Sequence, residues 1–358
     1  MGYPIRWASH ELVFVTVRCH QERFFLTPYS TRNAVWKPKN RRTDDRKGKP
    51  RHHGKAPQRC AQPRKMVDKV LGKLKRRTAI VAADYTENAY NVVGVWIAKA
   101  LAWHKGVRLH AVKAMDNHLH YLLSVPKGLL SRFMRYLNGQ MARALNRLLG
   151  RNHQLWARRY SAEPVLDHGA AVDRLGYTET NACAANLIDR ASDWPGVSSH
   201  HNLEGTRVQK FVFFNRTRWH RNHKPKVLNK YLEVVELRVD RLPGCEQLTE
   251  TEYADFVRRL IAEREQGHAR ARKDAGKSVL PLDKLKATDP FARPNNPKRS
   301  PRPPCHSSCR KLRAKYIQDY RNVRCGHMRS SARCRDGDRT VKFPEGTHPP
   351  PILDARAA

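Results

Sequence analysis

Residues 107–125 read VRLHAVKAMDNHLHYLLSV, two runs of β-forming residues separated by a tight Asp116-Asn117 turn, a pattern that folds as a pair of adjacent strands. Within the second run the side-chain period of two sends His118, His120, Leu122 and Ser124 to one face and Leu119, Tyr121, Leu123 and Val125 to the other. The second face is apolar and has to cover a core. The first presents two imidazoles side by side on a segment otherwise built for burial. With eighteen histidines in 358 residues, chance alone supplies about one His-x-His. The pair therefore gains meaning only from its surroundings, and its bland reading is a polar face.

Those surroundings are ordered. ELVFVTVRCH, residues 11–20, reads as a strand, and the stretch from Asn88 to Gly106 places Val92, Val93, Trp96, Ile97, Ala100 and Leu101 at helical spacing. After the two strands, the stretch from Leu129 to Gly150 is a long amphipathic helix closed by a glycine. A short strand, SAEPVLD, and a helix over about residues 170–186 follow. The order strand, helix, strand, strand, helix, strand predicts an α+β chain with a ferredoxin-like (split β-α-β) antiparallel sheet, helices on one face, and the histidines on a central strand.

Residues 7–205 are read as this domain, with a basic insertion at 32–65. Residues 206–288 are read as an accessory helical region, in which Thr249 and Glu252 form a capping box ahead of a helix. Residues 289–358, rich in Pro, Arg, Lys and Cys, are read as a flexible basic tail with one helix near Lys311 to Asn322.

Seventy Lys and Arg against thirty-two Asp and Glu leave a net charge of +38, and nucleic acid is the default partner for such a surplus. Thirteen of those cations fall between Arg32 and Lys65, where almost nothing is apolar. The N-terminus has no signal core or myristoylation pattern, and AYNVVGVWIAKALAW is too short to span a bilayer. A cytoplasmic protein with no membrane partner is expected. The eight cysteines are dilute for a disulfide scaffold. Cys305, Cys309, Cys325 and Cys334, with His306 and His327 nearby, are spaced loosely for zinc, and free thiols are the preferred reading.

The stretch from Leu155 to Ser199 reads LWARRYSAEPVLDHGAAVDRLGYTETNACAANLIDRASDWPGVSS. Together with MDNHLHYLL and SRFMRYLNGQMARALNRL, it resembles the single-strand transposases of the HUH endonuclease superfamily, in particular the REP-associated tyrosine transposases. The similarity spans roughly residues 7–205. It implies that His118 and His120 bind a divalent metal, Mg2+ or Mn2+, that Tyr177 is the nucleophile, and that Asn181 completes the metal site. Independently, residues four apart share a helix face, so a helix packed on the histidine face can bring Tyr177 and Asn181 to one ion. Trp156, Arg159 and Tyr160 match a Trp-x-x-Arg-Tyr element of the family, and Arg159, Arg158 and Lys113 are the expected DNA contacts. The sequence departs from the family at Ala182, where a proline usually stands, and at Asn186, where a glycine usually closes the helix.

Each residue also has a plainer reading. Tyr177 can be a core tyrosine, with Tyr136 and Tyr160 as rival nucleophiles; Asn181 can be a solvated helix residue; Arg159 can serve a structural ion pair. Asp193, Trp194 and Pro195 read as a turn with a packing anchor. The implied activity is metal-dependent cutting of single-stranded, hairpin-flanked DNA through a 5′-phosphotyrosine, and a homodimer is compatible with it. The alternatives are a nucleic-acid-binding protein of the same fold without catalysis, and a rolling-circle replication initiator or relaxase. Glu179 is not expected to serve as base for Tyr177, because two residues along a helix it faces elsewhere.

Overall fold

The computed structural model describes residues 11–30, 63–75, 85–203, 208–294, 303–338, 340–347 and 349. The chain runs β1 (Leu12–Arg18), α1 (Pro63–Lys75), α2 (Ala89–Trp103), β2 (Arg108–Ala114), β3 (His118–Ser124), α3 (Leu130–Leu148), β4 (Ser161–Pro164) and α4 (His168–Ala184). All four strands pair antiparallel in the order β2-β3-β1-β4. That is the split β-α-β arrangement, and the histidine strand is central in it.

Alternation builds the core on one side. Val13, Val15 and Val17 of β1 and Leu119, Tyr121 and Leu123 of β3 pack against Val92, Val93 and Ile97 of α2 and Phe133, Leu137 and Met141 of α3. Asn88 starts α2 by accepting the Asn91 amide at 2.8 Å.

The helices are not confined to that face. Phe14, Ala111 and Leu122 form an apolar strip on the histidine side, and α4 covers it with Leu175 and Ala182. A sheet that carries apolar residues on both sides needs a layer on both. α4 starts two residues earlier than the apolar pattern suggests, because Asp167 caps it by accepting the Ala170 amide at 2.8 Å. Beyond its end Asn186 takes the left-handed conformation, φ 55°.

Beyond α4 come α5 (His200–Leu203), β5 (Val208–Phe214), α6 (Arg216–Arg221), β6 (Leu232–Arg238), α7 (Glu250–Asp274), α8 (Leu282–Lys286) and α9 (Arg310–Arg335). Residues 208–238 are thus not a helical accessory region. β5 and β6 form a two-stranded antiparallel sheet, and Phe211, Val212 and Leu237 join the core beneath α2. Gly94 of α2 makes room for this: a Cβ there would lie 2.1 Å from the Phe211 ring. α7 begins at the Thr249 capping box and packs on α4, where Arg264 reaches Asp173 at 2.6 Å.

The tail is also more structured than its composition suggests. α9 runs well past Asn322, and residues 305–309 dock on β4 and the start of α4. Most of the basic insertion, 32–62, lies outside the described residues, as do 351–358; the last residues read as insertion, 63–65, open α1. Among the described residues no helix is long and apolar enough to cross a membrane.

Candidate active site

The β1–β3 register places Thr16 opposite His120 and Arg18 opposite His118. His120 Nδ1 and the Thr16 hydroxyl share a 3.1 Å hydrogen bond, whereas His120 Nε2 is buried without a partner among the described residues. His118 donates from Nδ1 to Asn117 Oδ1 at 2.6 Å, which leaves its lone pair on Nε2. The two rings lie 4.7 Å apart, nearly perpendicular.

Burial, reinforced by the Arg18 charge, lowers His118 to about 3. Burial pulls His120 well below its ordinary value too, helped by His118, Arg18 and Arg174. Both imidazoles are therefore neutral near pH 7 and present lone pairs, the form in which histidine ligates metal. A buried ring nitrogen without a partner costs about 1–3 kcal/mol. A divalent cation fits that position, where no hydrogen-bond partner stands among the described residues.

α4 carries the rest of the site across the histidine face. The half-buried Tyr177 ring stands edge-on to His120, centroids 5.4 Å apart, and to Phe14 at 5.9 Å. The Arg174 guanidinium lies 4.7 Å from the Tyr177 ring centroid and is held from its own side by Asp173. Asn181 is buried one turn further along the same helix face. The fold thus gathers His118, His120 and Tyr177, with Asn181 on the same face of α4.

The rival tyrosines belong to the opposite core. Tyr136 stacks on Trp103 at 6.2 Å, and Tyr160 packs against the α2–α3 side. Tyr121 is buried there as well.

Lys113 departs from its expected role. It is wholly buried, donating to the Glu179 carbonyl at 3.1 Å and to Ser198 Oγ at 3.2 Å, so it cannot reach a DNA backbone. Burial lowers it to about 8 even though the Glu179 charge opposes the shift. Glu179 is raised by burial despite Lys113 and the Ser199 and Ser198 hydroxyls. The two charges anchor α4 to β2 from inside, and Glu179 faces away from Tyr177, as its position on the helix implies.

Arg158 and Arg159 are exposed on the loop before β4. Trp156 donates from Nε1 to the Asn138 carbonyl at 2.9 Å. Trp194 is buried and donates to the Ala114 carbonyl at 2.8 Å, the anchor that its sequence context indicates.

Among the described residues, no three His, Cys, Asp or Glu side chains are grouped to hold a metal. The donor set expected from the sequence, two imidazoles and the Asn181 amide, is a mixed one that on softness would suit Mn2+ more than Mg2+. Cys305, Cys309, Cys325 and Cys334 are free thiols. His306 pairs with Glu163 at 2.9 Å, and His327 packs edge-on to Phe343. Sequence reading missed Thr16, Phe14 and Arg174. Thr16 was accessible through strand register once β1 and β3 were paired, and Arg174 through its place one turn before Tyr177.

Residues 69–174 match a family model described as transposase, IS200 like. The matched segment contains both histidines and ends three residues before Tyr177. No curated protein matches the chain. A solved structure of a REP-associated tyrosine transposase bound to a REP hairpin is 15% identical, covering 56% of this chain and 84% of that one, with a TM-score of 0.33.

Proposed function

We propose that this chain, whose residues 69–174 match the IS200-like transposase family model, cuts single-stranded, hairpin-flanked DNA through Tyr177. The observation that carries the reading is the buried, unpartnered His120 Nε2 beside the Tyr177 ring. In the reaction the Tyr177 phenol oxygen bonds to the scissile phosphorus and the bond from phosphorus to the 3′ oxygen breaks. The phenol proton ends on the departing 3′ oxygen. The products are a 5′-phosphotyrosine and a free 3′ hydroxyl that can attack in a later strand transfer.

His118, His120 and Asn181 are the residues that would hold Mg2+ or Mn2+. Such an ion supplies charge neutralisation at the non-bridging phosphate oxygens. Arg174, over the Tyr177 face, favours the phenolate as it forms and attracts the phosphate. Phe14 and His120 fix the ring from its other sides. Arg158 and Arg159, on an exposed loop, bind the backbone without reading sequence.

The test is a denaturing gel for covalent protein–DNA adduct on hairpin oligonucleotides with Mg2+ or Mn2+. Wild-type protein forms the adduct, and Tyr177→Phe, which keeps the ring, forms none while binding DNA normally. Equal adduct yields from both proteins would overturn the assignment. Intact binding with no adduct from wild-type protein would favour a binding module without catalysis.

A further inference from the structure

The C-terminal segment returns to this site by several independent contacts. The His306 amide donates to the Pro164 carbonyl at 2.8 Å, and the Leu166 amide donates to the His306 carbonyl at 2.9 Å. His306 and Val165 thereby form a parallel bridge just past β4. Ser307 Oγ donates to Asp167 Oδ2 at 2.5 Å, and Ser308 donates to the same carboxylate from its amide at 2.9 Å and its hydroxyl at 2.6 Å. Gly169 leaves space for this docking: a Cβ there would stand 2.7 Å from Ser308 Oγ.

The docking fixes one side chain in particular. The mostly buried His306 ring donates from Nε2 to Glu163 Oε2 at 2.9 Å, and Glu163 Oε1 accepts from the Ser161 hydroxyl at 2.7 Å. His306 meets the Phe14 ring edge-on at 5.5 Å. The same Phe14 ring is stacked on His120 at 5.2 Å, meets Tyr177 at 5.9 Å, and has the Arg174 guanidinium 5.6 Å away. One aromatic ring therefore touches the metal-face histidine, the nucleophile candidate and a histidine supplied from more than a hundred residues downstream.

We propose that residues 305–309 are part of the cleavage site, with His306, seated by Glu163, as a positioning residue that fixes Tyr177 through Phe14. The inference rests on the reading of Tyr177 as nucleophile. A rigid network satisfied at every polar atom holds a side chain far better than aromatic packing alone. The Ser161–Glu163–His306 hydrogen bonds add a polar anchor at the edge of the Phe14 ring, whose other neighbours include His120, Tyr177 and Arg174. The composition of the tail suggests a role in DNA affinity. The contacts of this short segment assign it a role in geometry.

The experiment uses the full chain labelled with 3-fluorotyrosine, the Tyr177 resonance being the one missing from Tyr177→Phe. Two variants displace the segment: Gly169→Ala, which favours helix and whose Cβ would press on Ser308 while touching Asp167 Oδ1 at an ordinary 3.4 Å, and His306→Ala. In both, the Tyr177 resonance shifts or broadens. The single-turnover adduct rate at saturating hairpin oligonucleotide falls about tenfold to a hundredfold, the range expected when a reacting group is displaced by up to about 1 Å. The DNA dissociation constant stays unchanged. Glu163→Gln, which keeps an acceptor for His306, retains most of the rate that Glu163→Ala loses. An unmoved Tyr177 resonance in both variants overturns the proposal, as does an adduct rate that is unchanged or raised. A wild-type protein that forms no adduct overturns the cleavage reading instead, and the resonance alone then decides whether the segment fixes Tyr177.

Discussion

Replacing Lys113 with methionine separates an internal anchor from a DNA contact. The side chain is wholly buried, bonded to the Glu179 carbonyl at 3.1 Å and Ser198 Oγ at 3.2 Å. Its ammonium also lies 5.9 Å from the Trp194 ring centroid. Methionine keeps the length and removes the charge, so the buried Glu179 carboxylate loses its compensating cation. Removing one partner of a buried charge pair costs about 3–5 kcal/mol. The apolar fit of methionine and the Ser199 and Ser198 hydroxyls around Glu179 place the expected loss near the lower end, about 3 kcal/mol. That is on the order of a hundredfold in the folding equilibrium. Adding Glu179→Gln removes the stranded charge and should recover about 1–2 kcal/mol, a coupling typical of residues in one network. Urea unfolding followed by tryptophan fluorescence reads both, with Trp194 as a local reporter. Arg158→Ala is the control. It should move stability by under about 0.5 kcal/mol and reduce the slope of log affinity against log salt for single strands by about 0.7. A Lys113→Met protein with an unchanged unfolding midpoint and weakened DNA binding would refute the internal role.

His120→Ala should abolish adduct formation and leave oligonucleotide binding within about threefold, since a metal acts on the transition state while the basic surface holds the substrate; full cleavage by wild-type protein in excess chelator would contradict this. Gly94→Ala should destabilise by about 1–3 kcal/mol through overpacking against Phe211, and a stabilised variant in thermal melts would show that β5 does not press on α2. Replacing residues 32–62 by a short Gly-Ser linker should reduce the salt slope for single strands by about 3 if four of its eleven cations each engage a phosphate at about 0.7 per contact. Parallel slopes would make that segment a bystander.

The parts of the fold that were legible in the sequence are those whose reason is local. The strand alternation at 118–125 has a period that survives without tertiary context, and both long helices beside it carry an apolar face. The order of those elements then fixes the sheet. The β5–β6 pair was not legible. Seventeen residues, a short helix among them, separate Phe214 from Leu232, so no turn signal joins the strands, and β6 alternates poorly because Val234 is exposed. α1 and most of α9 were hidden by their charge. Lys113 reads as a surface cation in any local window, and only the packing of α4 on β2 shows that it is inside. The site was half legible: His118, His120 and Tyr177 follow from spacing and resemblance. Phe14, Thr16 and His306 reach it only through strand pairing and a return of the chain from beyond residue 300.

The central claim is that the Tyr177 hydroxyl becomes joined to DNA. Wild-type protein incubated with a hairpin oligonucleotide and Mn2+, digested with nuclease and protease, should yield a nucleotide-modified peptide from α4 whose fragment masses place the 5′-phosphate on Tyr177. A modified peptide carrying Tyr136 or Tyr160 instead, with Tyr177 intact, would contradict the account.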